Sequence, residues 1–247
     1  MTRIRIATYN IHKGVQGLGP RRRLEIHNLG HAIEHFDADI VCLQEVRKMH
    51  RREALYFARW PDLPQAEFLA PPGYESVYRT NAVTKHGEHG NALLSRWPVQ
   101  HHQHEDMSDH RFEQRGLLHA EVKVHDVAMH VIVLHLGLIR SSRVRQLAQV
   151  SRFIAREIPA HAPLLVAGDF NDWGATICNA LEPCGLREFK QTGANTFPSR
   201  LPLLQLDHVF ARGLQPMGLE VPRGRIWSRM SDHLPLIADF DLTHTGQ

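Results

Sequence analysis

The chain has 247 residues, of which 43% are hydrophobic and 22% charged, the length and balance of one large soluble globular domain. Its formal charge of +3, with the histidines neutral, is too small to argue by itself for a nucleic-acid partner. Cys42, Cys178 and Cys184 form an odd, widely spaced set without a CxxC pair, which argues against a disulfide framework or zinc site and suits a reducing compartment.

Arg3 to Tyr9 reads as a strand from the outset, with no charged leader and apolar stretch before it, so no signal peptide is expected. Leu29, Ile33 and Phe36 then recur at helical spacing within Leu24 to Phe36. Asp37-Ala38-Asp39 leads into the short strand Ile40 to Leu43, which delivers Glu45, and Cys42 inside it reads as a core residue. Residues 47–74 are rich in Arg, His, Pro and Gln and read as a variable rim, as do residues 98–115 beyond the strand Gly90 to Ser95. His101-His102-Gln103-His104 typifies the 19 histidines, which read mostly as a solvated surface that charges below about pH 6.5.

Leu117 to Val124 and Val127 to His135 are two further strands. The apolar stretch Val127 to Ile139 is the longest, yet it contains two histidines and is too short to span a bilayer, so no transmembrane segment is expected and a cytoplasmic location is the default. Val144, Leu147, Ile154 and Ile158 mark a second amphipathic helix, stopped by Pro159 and Pro163. Leu164 to Ala167 is a strand that delivers Asp169, and Leu206 to Ala211 and Leu236 to Leu242 complete the set. Each half thus reads as strand, helix, strand, with a carboxylate where a buried strand ends. Roughly ten short strands with few helices predict two packed sheets flanked by helices. No linker, low-complexity tract or tandem repeat divides residues 1–247, which predicts a single domain, with a monomer as the default.

Three late segments share one chemistry: Gly168-Asp169-Phe170-Asn171, Leu206-Asp207-His208 and Ser231-Asp232-His233. Phosphate-ester hydrolysis needs this inventory, namely carboxylates for a divalent metal, a base for water, and donors for phosphoryl oxygens. Asn10, Glu45, Asn91 and His135 supply further members. Singly, each has an ordinary explanation: a structural ion pair for Glu45, a turn at Gly168–Asn171, a satisfied structural histidine at His135, local turns at Asn10 and Asn91. Gly168 permits close backbone approach, and Asn171 shares a side with Asp169 if the segment is extended. Adjacent strand residues face opposite ways, so Asp207 is expected to hold His233 from the next loop, raising its pKa, while His208 faces elsewhere. That all these residues fall at strand ends is what no single ordinary reading explains.

In the order of these segments the sequence resembles the endonuclease/exonuclease/phosphatase superfamily, whose members include DNase I, abasic-site endonucleases, neutral sphingomyelinases and inositol polyphosphate 5-phosphatases. The matching motifs, Thr8–His12, Leu43–Val46, Gly90–Arg96, His135–Gly137, Gly168–Asn171, Leu206–Phe210 and Ser231–Pro235, cover nearly the whole chain. Asn10-Ile11-His12-Lys13-Gly14, His89-Gly90-Asn91-Ala92, Asp172-Trp173 and Thr196-Phe197-Pro198 are similar to its compact bacterial, YbhP-like branch.

The resemblance implies a DNase I-like four-layer α/β sandwich, two packed mixed β-sheets flanked by helices, and a Mg²⁺- or Mn²⁺-dependent phosphoric ester hydrolase. It implies Glu45 as principal metal ligand with Asn10 and Asp232 nearby, and Asp169 as the residue that orients or deprotonates water. Asn171 would hold water or phosphate, His135 and His233 would contact phosphoryl oxygens, Asp207 would support His233, and Asn91 would approach the phosphate. One position departs: His12 stands where abasic-site endonucleases carry a metal-associated Asp.

For substrate, a nuclease calls for a basic groove with apolar or aromatic wedges. Arg21-Arg22-Arg23, Arg47-Lys48 and Arg51-Arg52 are candidates for it, though such runs usually form solvated faces. A lipid-phosphate enzyme calls for exposed apolar residues near the site, and Leu201 to Leu204 and Tyr56 to Trp60 are candidates for exposure or for core. The resemblance leans toward a lipid headgroup or other small phosphodiester, with peripheral membrane contact, and nucleic acid as the alternative. A catalytically silent phosphate-binding protein on the same scaffold would have lost Glu45, Asp169 or His233, and none is lost.

Overall fold

The computed structural model describes residues 2–172 and 180–242; Trp173 and Cys178 lie outside the described residues. Its first strands, β1 (Thr2–Asn10) and β4 (Ile40–Val46), run parallel, with α1 (Ile26–Phe36) as their crossover. A small hairpin of β2 (Val15–Gln16) and β3 (Arg23–Leu24) precedes that helix. β5 (Glu75–Thr84) and β6 (Gly87–Ser95) extend the sheet on one side, and β13 (Gln215–Glu220) and β14 (Leu236–Leu242) on the other, in the order β13-β14-β1-β4-β6-β5. α2 (Arg51–Tyr56) and α3 (Gln65–Leu69) lie in the connection after β4, and α5 (Trp227–Met230) precedes β14.

The second sheet repeats the plan. β9 (Val127–His135) and β10 (Leu164–Asp169) run parallel, joined by α4 (Arg140–Glu157). β7 (Val99–Asp106), β8 (Gly116–Val124), β11 (Arg187–Glu188) and β12 (Asp207–Arg212) complete the order β11-β12-β10-β9-β8-β7.

Period-two alternation assigns each strand residue to a layer. Ile4 and Ile6 of β1 and Ile40 and Cys42 of β4 pack between the sheets against Leu118, Val131, Val133 and Leu165. Ala7, Tyr9, Val41 and Leu43 face outward onto Leu29, Ile33 and Phe36 of α1. Ile132, Leu134, Leu164 and Val166 face outward onto Leu147, Val150, Phe153 and Ile154 of α4. Both faces of the central strands are therefore covered, and the outcome is four layers: helix, sheet, sheet, helix. Cys42 is fully buried and its thiol is pushed up to about 12 by that burial, so it packs rather than reacts.

Three expectations need correction. Residues 99–106, read as rim, form edge strand β7; His101 and His104 are exposed on it, and because one edge is solvated its apolar alternation is too weak to read. Edge strands β5 and β13 carry no readable pattern for the same reason. β4 runs on past Leu43, so Glu45 sits inside a strand, at an irregularity where the pairing shifts between Leu43 and Val46.

Parallel pairing brings the candidate residues to one end of the molecule. β1 and β4 point the same way in one sheet and β9 and β10 in the other, so Asn10, His135 and Asp169 at strand ends, and Glu45 near the end of β4, arrive on one pole of the sandwich. No helix among the described residues is long and apolar enough to cross a membrane.

Candidate active site

Past Asn10 the chain turns at once: His12 and Lys13 take φ of 45° and 62°, and the His12 amide donates to Asn10 Oδ1 at 3.0 Å. Ser231 Oγ donates to the Asn10 carbonyl at 2.6 Å, tying the loop that follows α5 to the end of β1. Glu45 also has a positive φ, 57°, as does Asn171, 50°. Left-handed backbone costs a non-glycine residue of order 1 kcal/mol, and four of the six such residues described lie in this one place. That clustering is typical of a geometry held for function.

Glu45 accepts from Asn10 Nδ2 at 3.5 Å on one oxygen and from the Lys13 ammonium on the other. Burial alone would raise its pKa, but Lys13, with His135 and His12 nearby, holds the carboxyl well below the usual carboxylate range. Asp232 is treated likewise: burial opposes ionisation, yet His12, whose Nδ1 stands 3.1 Å away, keeps its pKa low. His12 thus stands against the Asp232 carboxylate at the position where the resemblance would have put a metal-associated Asp.

Asp169 is the hub. Gly168 delivers it with φ 151°, and a Cβ there would lie 1.9 Å from the Leu134 carbonyl oxygen of the neighbouring strand, so only glycine allows β9 and β10 to pair this closely. Asp169 Oδ1 accepts from the Asn171 amide at 2.9 Å, an Asx turn. The segment is therefore a tight turn and not the extended stretch that would place Asp169 and Asn171 on one side. Asn171 Nδ2 donates instead to the Leu136 carbonyl at 2.9 Å. Asp169 Oδ2 accepts from Asn10 Nδ2 at 3.0 Å, and His135 Nε2 and His233 Nε2 each lie 3.5 Å from it. Residues from both sheets thus meet on one buried carboxylate.

The two histidines are driven to different charge states. Burial depresses the pKa of His135 and Arg115 adds to that, bringing the ring down to about 4 and leaving it neutral at pH 7. Burial works against protonation of His233 too, but Asp207, 2.8 Å from its Nδ1, and Asp169 overcome it and push the ring up to about 10. Asp207 is fully buried at the start of β12. His208, next in the strand, faces the other way and bonds Glu188 at 2.6 Å. The ligand atoms of Asp169, Asp207 and His233 lie within 4.8 Å of one another, close enough to hold a metal. Both ring nitrogens of His233 already face a carboxylate, though, which suits a shared proton better than a cation.

Asn91 is engaged elsewhere. It is fully buried, and its Nδ2 donates to the carbonyls of Gly116 and Val133 at 3.0 and 3.1 Å, stitching β6 to the second sheet. Both amide hydrogens are taken up in the interior, which leaves none for the phosphate that the resemblance brought to this position.

Lys13 and Arg115 join the site without a sequence signal of their own. Lys13 is visible only as the neighbour of His12. Arg115, just before β8, donates to the Leu136 carbonyl at 3.1 Å and pairs with Glu113, and no local pattern announces its approach to His135. Arg143 of α4 and Asp172 form a buried pair at 3.3 Å that braces the loops after β9 and β10.

Residues 7–233 match the sequence model of the Endonuclease/Exonuclease/phosphatase family. The chain belongs to that family. It is 38% identical over 246 residues to the uncharacterized protein YbhP of Escherichia coli K12, with 96% of each chain covered, which places it in the compact YbhP-like branch. Among solved structures of the family's fold, it is similar to the mannosyl-6-phosphatase Bt3783 of Bacteroides thetaiotaomicron, with a TM-score of 0.72, 17% identity and 96% and 99% of the two chains covered. It is also similar to D. rerio TDP2 complexed with a single-strand DNA product, with a TM-score of 0.69, 17% identity and 98% and 100% covered. The family's DNase I-like sandwich is the fold described above.

Proposed function

We propose that this protein is a divalent-metal-dependent phosphoesterase that hydrolyses a phosphodiester, or a phosphomonoester, on a phospholipid headgroup or other small molecule. The observation that carries the reading is the buried Asp169 carboxylate on which Asn10, His135, Asn171 and His233 converge from both sheets. A structural carboxylate needs one or two such partners; a base beside a charged donor and a neutral donor is what attack on phosphorus needs.

Asp169 accepts the proton of the attacking water, held in place by its bonds to Asn10 and the Asn171 amide. His233, kept protonated by Asp207, donates from Nε2 to a non-bridging phosphoryl oxygen and stabilises the charge that develops there. His135 offers a neutral N–H donor to the same group. Asn171 orients water with the second Nδ2 hydrogen, the first being held by the Leu136 carbonyl. Donors of this kind contribute about 3–4 kcal/mol each to transition-state stabilisation when well placed. No covalent intermediate is required, since no Ser or Cys stands beside a base in this cluster.

The metal would be held by Glu45, with Asn10 and Asp232. These are hard oxygen donors that suit Mg²⁺ or Mn²⁺; Glu45 already draws the Lys13 ammonium and Asp232 faces His12 Nδ1, so both carboxylates hold nitrogen partners that a cation would replace or share. When bound, the ion supplies neutralisation of phosphate charge and stabilisation of the leaving oxygen.

The test is Mg²⁺- or Mn²⁺-dependent hydrolysis of bis-p-nitrophenyl phosphate, with EDTA and Asp169→Asn as controls. Asp169→Asn should lose turnover while remaining folded. Wild-type-like turnover in that variant removes Asp169 from the mechanism, and turnover unaffected by EDTA removes the metal. Comparison of phospholipid vesicles, plasmid DNA and phosphomonoesters under one condition ranks the substrates.

A further inference from the structure

The two poles of the sandwich differ in what they expose. At the pole where Asn10, Glu45, His135 and Asp169 arrive, the connections carry large apolar side chains standing in solvent. Leu18, Leu55 and Ile226 belong to the first sheet's connections, at 88%, 90% and 75% exposure. Phe112, Ile139 and Leu203 belong to the second sheet's, at 82%, 51% and 64%. They come from connections of both sheets at the end where the carboxylate cluster lies. Of the large apolar residues exposed among the described residues, all but Val144 and Met217 lie on these connections or on strand residues bounding them. The opposite connections, residues 37–39, 71–74, 96–98, 125–126, 158–163 and 213–214, carry none.

Single exposed leucines are ordinary; segregation of nearly all of them to one end is not. The same connections bear Arg21, Arg51, Arg52, Arg111, Arg140 and Arg200, all exposed and without an ion pair among the described residues. On these connections Arg111 lies over the Phe112 ring at 4.7 Å, and Arg22 over the Tyr56 and Phe57 rings at 4.5 and 5.8 Å.

We infer that this pole is a docking surface for an anionic lipid bilayer, seating the mouth of the carboxylate cluster against the headgroups. Protruding aliphatic side chains enter the acyl boundary while arginines meet the negative headgroups, and rings paired with guanidinium groups suit the interface between them. A nucleic-acid surface would show bases' preferred partners, exposed aromatics, as its main apolar component. Here the exposed apolar residues are mostly Leu, Ile, Val and Met. The inference goes beyond the proposed chemistry: docking is read from the surface, so binding and hydrolysis can fail separately.

The experiment is co-sedimentation of the full chain with phosphatidylcholine vesicles and with vesicles containing phosphatidylglycerol, at low and high salt. Wild type should pellet with the anionic vesicles at low salt, and bind pure phosphatidylcholine at least tenfold more weakly. Leu201→Asp with Leu203→Asp should weaken anionic-vesicle binding tenfold or more, with an unchanged circular dichroism spectrum and melting temperature. Arg51→Ala with Arg52→Ala should flatten the salt dependence, a second readout should the leucine variant misfold. Failure to pellet with either vesicle, or pelleting indifferent to both variants, overturns the inference. So does a single-stranded oligonucleotide retained by wild type and lost in the variants while vesicles are ignored, or a dimer in sedimentation velocity that the leucine variant dissociates.

Discussion

His233 Nδ1 lies 2.8 Å from Asp207 Oδ2, joining the loop that enters β14 in one sheet to the first residue of β12 in the other. The bond sets the ring's charge, since burial by itself would strip its proton. Asp207→Asn keeps the shape and removes the charge, so the pKa of His233 should fall from about 10 toward or below the ordinary 6.5. In pH–rate profiles with bis-p-nitrophenyl phosphate, wild type should hold its activity to about pH 9, and the variant should lose it from about pH 6.5 upward. At pH 8 the deficit should be about 30-fold or more, since a ring with a pKa of about 6.5 is only about 3% protonated there. Coincident alkaline limbs would show that His233 does not act as a charged donor.

Lys13 rests on Glu45, and a divalent ion bound by Glu45 must displace or share that contact. Lys13→Met leaves the carboxylate uncompensated, so the variant should melt lower than wild type in EDTA. It should also gain more in melting temperature from added Mg²⁺ or Mn²⁺, because binding to the folded state stabilises in proportion to affinity. Differential scanning fluorimetry across a metal titration checks this. Equal metal-induced shifts in both proteins would place the ion away from Glu45.

His119 Nε2 and His130 Nδ1 meet at 3.0 Å under Phe153, remote from the carboxylates. Burial, with His130 beside it, lowers His119 to about 4. The folded pKa is thus below the unfolded value of about 6.5, and the unfolded chain binds more protons between those two values. Stability should be fully present above pH 6.5 and should fall as pH drops toward 4. The loss should reach about 3 kcal/mol, since each pH unit between the two values is worth about 1.4 kcal/mol. His119→Gln should flatten that part of the melting-temperature profile; an unchanged slope would assign the acid sensitivity to other groups.

Gly168→Ala places a methyl group 1.9 Å from the Leu134 oxygen. Backbone cannot yield there without separating β9 from β10 at the residues that position His135 and Asp169. The variant should lose several degrees of melting temperature, corresponding to about 2 kcal/mol or more, and most of its activity. A wild-type melt with full activity would contradict the close strand approach.

Much of this is legible in residue order. Val127–His135 and Leu236–Leu242 match their predicted spans because most of their residues are buried, so apolar side chains dominate both segments despite His130, Asp239 and Asp241. The Asp207–His233 partnership follows from strand geometry, since adjacent residues face opposite ways. Polar edge strands such as β7 are hidden because solvent on one edge relaxes the demand for apolar residues. Asn91 reads as a ligand-facing amide, yet its hydrogens bridge two sheets, a contact made by residues far apart in the chain.

By itself the sequence determined the layers, the two crossover helices and the inventory of acids, amides and imidazoles, because these depend on local periodicity and on which residue types end an apolar run. Only the tertiary structure decided which charge each group carries and what it touches: Lys13 on Glu45, His12 on Asp232, a neutral His135 and a protonated His233 around one carboxylate. Charge state depends on burial and on neighbours within a few ångströms, and folding alone brings those neighbours together.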